Sequence, residues 1–216
     1  MNNIKRVISL LMMLVLAIAL GGCTKKQTLD TPVISLNEAI LSWNSIDNAS
    51  KYEVNVNGDK FETTKLEYDL SYIKAHTFNI KVRAIGDNKK YLDSEESKAI
   101  NITVQDMVSV EKGEMIADKI RYKVTVEAKE DVLGFVIGIK YDNDKLSLID
   151  GDIKLTQLLP NKWLYDINHT EGEIKIAVTG LDPINVRLKQ SLLYLDFLET
   201  DDSGTVTIKT YIIDNG

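Results

Sequence analysis

The chain has 216 residues, 44% apolar and 27% charged, and its 26 basic and 32 acidic side chains give a net charge of −6. That length suffices for one large domain or two small ones, each with a buried core. No basic stripe is present to attract phosphates, which excludes nucleic acid as a partner, and the single cysteine, Cys23, excludes a disulfide framework and a cysteine-based zinc cluster.

The first element is a leader. Met1 to Arg6 is short and positive, and Val7 to Leu20 is a run of fourteen residues broken only by Ser9. As a helix that run would span about 21 Å, short of the ~30 Å hydrocarbon core, so the pattern predicts a cleaved signal peptide over 1–22 rather than a permanent membrane span. Removing it takes away Lys5 and Arg6 and no acid, leaving 24 basic against 32 acidic residues and a charge of −8 on the exported body. The residues Leu20-Gly21-Gly22-Cys23 resemble a bacterial lipobox. That resemblance implies a diacylglycerol on the Cys23 sulfur, with the mature chain held on the outer face of a cell membrane; the alternative is a plain cleavage site beside a free thiol. Two acyl chains meet the requirement for stable anchoring. Lysine outnumbers arginine by 22 to 4, which points to an AT-rich genome and a low-GC Gram-positive bacterium. Residues 23–30 read as a short polar tether.

From Pro32 the pattern has a period of two. Ala39, Leu41 and Trp43 alternate with polar partners, as do Tyr52, Val54 and Val56, and then Phe78, Ile80, Val82 and Ala84. Such alternation marks strands with one buried face. Asn57-Gly58 directly after the second run is a type I′ hairpin signal. These features predict a small antiparallel sandwich over 31–105. The pieces Leu41-Ser42-Trp43, Ala49 to Val56, Phe78 to Ala84 and Tyr91 to Ser97 resemble a bacterial fibronectin type III module, a family of spacers and adhesive units. Phe78 stands where that family usually has a tyrosine whose hydroxyl anchors a corner. Trp43 on an inward strand face reads as core.

A second alternating series occupies 106–216. Its runs are Ile120-Tyr122-Val124-Val126, Phe135-Ile137-Ile139-Tyr141, Ile174-Ile176-Val178, Leu193-Leu195-Phe197 and Val206-Ile208, separated by turns at Asp142-Asn143-Asp144, Asp150-Gly151-Asp152, Glu171-Gly172 and Asp201 to Gly204. No amphipathic helix of three turns is visible after the leader, the weakest stretch for that statement being Asp182 to Ser191. The expected fold is therefore all-β, two antiparallel β-sandwiches in series. Phe135 to Asp142 followed by Leu146, Glu171 to Val178 and Leu192 to Phe197 resemble the strands of a cohesin, a jelly-roll module related to some carbohydrate-binding modules. The resemblance implies capture of a dockerin-type protein on a sheet face.

With Ile137, Ile139 and Tyr141 inward, period two turns Gly134, Val136, Gly138 and Lys140 outward, a flat strip for a partner's backbone. The competing reading is that the glycines mark a bulge or lie under a loop. Trp163 and Tyr165, two apart, would share one face of an extended segment and could stack on a polysaccharide; the competing reading has Trp163 capping the core beside Pro160. The acidic turns lack the twelve-residue calcium-loop spacing, and His76 and His169 sit in no zinc pattern. No catalytic residue, metal or cofactor is predicted. The sequence thus leads to a lipid-anchored extracellular binding protein, with a carbohydrate-binding surface lipoprotein, a purely structural subunit and an enzyme following in that order.

Overall fold

Apolar and polar residues alternate into strands almost from the start of the computed structural model, which describes residues 26–200 and 203–215. The predicted leader and Cys23 lie outside the described residues. The first sandwich is made of β1 (Gln27–Thr28), β2 (Ile34–Asn37), β3 (Ile40–Trp43), β4 (Lys51–Val56), β5 (Asp59–Thr63), β6 (Glu67–Asp69), β7 (Thr77–Ile85), β8 (Tyr91–Leu92) and β9 (Ile100–Thr103). Its two main sheets run in the orders β2-β3-β6 and β5-β4-β7-β9. Leu41, Trp43, Val54, Phe78, Ile80 and Val82 are buried between them, as the period of two requires. Asn57 and Gly58 both adopt positive φ, 56° and 101°, the backbone that an Asn-Gly hairpin turn needs. Phe78 fills the core with no hydroxyl to offer. A tyrosine anchor exists all the same: the Tyr52 hydroxyl accepts the Ile46 amide at 2.9 Å.

The expected tether is shorter than its sequence suggests. β1 pairs in parallel with β8, the Gln27 amide donates to the Lys90 carbonyl at 3.0 Å, and Leu29 is buried in the first core. Residues 27–29 thus belong to the sandwich, because one leucine among polar neighbours is enough to pin a strand of two residues and too little to make a pattern.

The second sandwich is made of β10 (Met107–Ile116), β11 (Lys119–Glu127), β12 (Val132–Tyr141), β13 (Leu146–Ser147), β14 (Ile153–Leu155), β15 (Leu164–Thr170), β16 (Glu173–Ile184), β17 (Gln190–Glu199) and β18 (Val206–Asp214). One sheet runs β10-β11-β17-β13, with β14 also on β17; the other runs β15-β16-β12-β18. Phe135, Ile137 and Ile139 face Val124, Leu195 and Phe197 across a continuous apolar core. The only helical element among the described residues is the 3-10 turn Asp150–Asp152, and no described helix is long and apolar enough to cross a membrane.

The stretch from Asn185 to Lys189, between β16 and β17, sews the two sandwiches together. Val186 is buried in the second core, whereas Leu188, two residues on, is buried in the first. Arg187 between them is 6% exposed and forms ion pairs with Asp131 and Glu130. Asn185 donates its side-chain amide to the carbonyls of Ser71, at 2.7 Å, and Ile73, at 3.1 Å. Lys74 pairs with Asp131, and the Ser191 hydroxyl bonds the Glu38 carboxylate. A buried leucine ringed by such bonds couples the two units far more firmly than the short covalent join alone.

Candidate interaction face of the second sandwich

The outward surface of the sheet β15-β16-β12-β18 is a grid fixed by strand register. One row is Asp166, Ala177, Val136 and Ile212; the next is Leu164, Thr179, Gly134 and Asp214; a third is Asn168, Lys175, Gly138 and Thr210. At its centre the grid is apolar and open, with Val136 50%, Ile212 63% and Leu164 73% exposed. A shallow depression of about 310 Å³ lies there, continued by a second of about 370 Å³ that shares Val136, Asp166 and Ala177. Farther along the strands the face turns polar. Glu173 is bonded to Lys209, which holds its carboxyl below the usual range, with Lys175 and Lys140 adding to the effect.

The four residues predicted on β12 divide in two. Val136 and Lys140 present their side chains on this face as expected. Gly134 and Gly138 do not make a bare strip: both are buried, and a Cβ would lie 2.8 Å from the Val178 carbonyl oxygen at the first and 2.6 Å from Thr210 Oγ1 at the second. Each adjoins a register shift, between Val132 and Gly134 against β16 and between Gly138 and Ile139 against β18. The glycines thus serve irregular pairing, and a partner would meet Val136, Ile212, Leu164 and Ala177 instead. Nothing in the sequence alone marks Leu164, Ala177 and Ile212, since only the pairing of β15, β16 and β18 around β12 brings them together.

Trp163 and Tyr165 do not share a face, and of the two sequence readings the structure bears out the one that has Trp163 capping the core rather than the shared stacking face. Trp163 is 6% exposed, packs against Phe135 with ring centroids 6.5 Å apart, and donates from Nε1 to the Asp182 carbonyl at 3.0 Å. Its amide donates to the Pro160 carbonyl at 2.9 Å, so the tryptophan caps the core. Tyr165 alone is exposed, at 62%. The Trp163 ring lies over Gly180, where a Cβ would stand 2.1 Å from Nε1. Gly180→Val is therefore expected to push the indole out of its seat, at a cost of about 1–3 kcal/mol for overpacking. Tryptophan emission should shift to the red and the denaturation midpoint fall; an unchanged spectrum and midpoint would count against this seating.

The opposite outer face, on β10-β11-β17, is closed by its own charges. Arg121 holds Asp196 through two bonds of 2.7 and 2.9 Å, Lys154 adds a third contact at 2.6 Å, and the Arg121 guanidinium lies 4.8 Å from the centre of the Tyr194 ring. His169 accepts or donates a bond of 2.9 Å with the Tyr141 hydroxyl, and His76 is 3.1 Å from the Glu130 carboxylate. Trp43 is buried against Tyr52 in the first core. Among the described residues, no group of three or more His, Cys, Asp or Glu side chains is placed to hold a metal ion.

Fold and face together define an all-β protein of two sandwiches whose second unit leaves one sheet face open. No family model matches the chain, and no curated protein matches it. Among solved structures, the chain is similar to a non-cellulosomal cohesin from the hyperthermophilic archaeon Archaeoglobus fulgidus, at 23% identity, covering 44% of this chain and 67% of that one, with a TM-score of 0.38. It is also similar to the sixth cohesin of scaffoldin B from Acetivibrio cellulolyticus, in complex with a dockerin, at 14% identity over 51% of this chain and 86% of that one, TM-score 0.42. A chitinase from Bacillus thuringiensis aligns over 90% of this chain and 30% of its own length, at 11% identity and a TM-score of 0.30.

Proposed function

We propose that this chain is a non-catalytic adaptor on the outer face of a bacterial membrane, anchored by diacylglycerol on Cys23, which presents its second sandwich for capture of a dockerin-type protein. The first sandwich serves as a fibronectin type III-like spacer, a reading supported by its arrangement of three strands against four. The observation that carries the capture function is the open apolar centre formed by Val136, Ile212 and Leu164 on the outward face of the sheet. Exposed apolar residues with a polar border are the composition of a protein-binding surface, where a few central side chains carry most of the affinity. The cohesin-like pieces of the sequence include β12, the middle of that face.

The test is calorimetric titration of the chain with purified dockerin modules from the same organism. Binding is expected, and Val136→Asp or Ile212→Asp should weaken it by about thirtyfold or more, because each puts a charge in the centre of a dehydrated contact. Both residues point to solvent, so the variants should keep the parent's unfolding midpoint. Equal binding by parent and variants would overturn the assignment of this face.

A further inference from the structure

The first sandwich carries a cleft that has no part in protein capture on the second. It lies where the edge strands β5 and β6, one from each main sheet, leave the sandwich open. Phe61, Tyr68 and Tyr72 fill that opening, with centroids 5.6 Å apart for the first two rings and 6.2 Å for the last two. The two tyrosine hydroxyls bond each other, which fixes the rings as a pair at the surface. Tyr72 remains 55% exposed and Ile40 beside it 41%. A depression of about 330 Å³ covers them, bordered by Glu62, Lys65, Glu67 and Asp69, a volume at the lower end of small-ligand sites.

The border narrows the choice of ligand. Three carboxylates against one lysine repel phosphate, sulfate and uronate groups. Glu62 is occupied by Lys51 at 2.7 Å, and Asp69 accepts the Ser71 amide at 2.8 Å. Glu67 is exposed, with no hydrogen bond or ion pair from its side chain among the described residues. Free carboxylate oxygens accept bonds from hydroxyl or ammonium groups, and an exposed ring face takes up an apolar surface. A pyranose ring supplies both, hydroxyls at its rim and C–H groups on its face. Partial burial, and secondarily the hydrogen bond shared with Tyr68, push the Tyr72 phenol up to about 12, which keeps it neutral at any physiological pH.

We infer that the Tyr68–Tyr72 cleft binds a glycan of neutral or amino sugars, with one ring stacked on Tyr72 and its hydroxyls held by Glu67 and Asp69. The site is separate from the sheet face of the second sandwich and stands whether or not that face captures a protein. Calorimetric titration of the whole chain with the hexamers of glucose, N-acetylglucosamine and glucosamine, all β-1,4-linked, tests it, with polygalacturonate as the anionic control. At least one hexamer should bind and polygalacturonate should not. Tyr72→Ala should weaken binding about tenfold or more, Tyr72→Phe much less, and the exposed Glu67→Gln several-fold without touching the fold. Val136→Asp should leave it unchanged. Failure of all three hexamers to bind, binding indifferent to Tyr72→Ala and Glu67→Gln, or equal binding of polygalacturonate would each overturn the inference.

Discussion

Arg121→Ala is expected to destabilise the second sandwich by about 3 kcal/mol, because it leaves a carboxylate that the fold has taken out of water with Lys154 alone to offset its charge. Asp196 is 3% exposed and sits on the central strand β17. Its carboxyl is held at about 2, chiefly by the bonds from Arg121 and secondarily by Lys154, against the desolvation that burial imposes. Since the folded value lies below that of the unfolded chain, the contribution is fully present above about pH 4. It is lost as pH falls through about 2, and amounts to about 2 kcal/mol. Denaturant titrations of the parent and of Asp196→Asn between pH 2 and pH 7 check this. The parent should lose stability more steeply below pH 4 than the variant does; parallel curves would contradict it.

Leu188→Ala should have the second large effect, and in a different place from where its own strand neighbours would put it. The residue belongs to the second half of the chain yet fills the first core, with Leu41 and Phe78 in the same cluster. Emptying a fully buried leucine site costs about 2–5 kcal/mol. Here the loss falls on the union of the two sandwiches. The parent is expected to unfold in one calorimetric transition, and Leu188→Ala in two, the first sandwich melting earlier. A variant that still melts in one transition at the parent's temperature would show that Leu188 does not couple the units. Asn185→Ala, which removes the bonds to Ser71 and Ile73, should act in the same direction by a smaller amount.

Legibility in the sequence followed from how local the governing physics was. Strands whose inward residues alternate strictly, such as Phe78 to Ala84 and Phe135 to Tyr141, were readable because a two-residue period has one solution on a half-buried sheet. The Asn57-Gly58 turn was readable for the same reason, since few residue pairs tolerate that backbone. What depended on contacts distant in sequence was not. The outward row through Val136 needed the register of β16 and β18, and Leu188 looked like any other apolar residue between strands. Sequence leaves Gly138 open between a bare strip and a bulge, because the shift that decides for irregular pairing and seats it under Thr210 arises from pairing with β18, some seventy residues away. Spacing pairs Trp163 with Tyr165, but β15 begins only at Leu164, so the period of two does not reach back to the tryptophan. Ser94 and Ser97 lie in the last of the fibronectin-like pieces, but nothing in their spacing tells which groups they bond. Their hydroxyls accept the Ala84 and Val82 amides at 2.8 and 3.0 Å and thereby complete β7 where no regular strand does.

Docking of a protein partner on the open face of β15-β16-β12-β18 is the function proposed for this chain. Amide chemical-shift mapping of the labelled chain on addition of a dockerin module measures it most directly. Shifts are expected to concentrate at Val136, Leu164, Ala177 and Ile212, with none at Arg121, Tyr194 or Asp196 on the other face. Shifts centred on that second group, or on neither face, would contradict it.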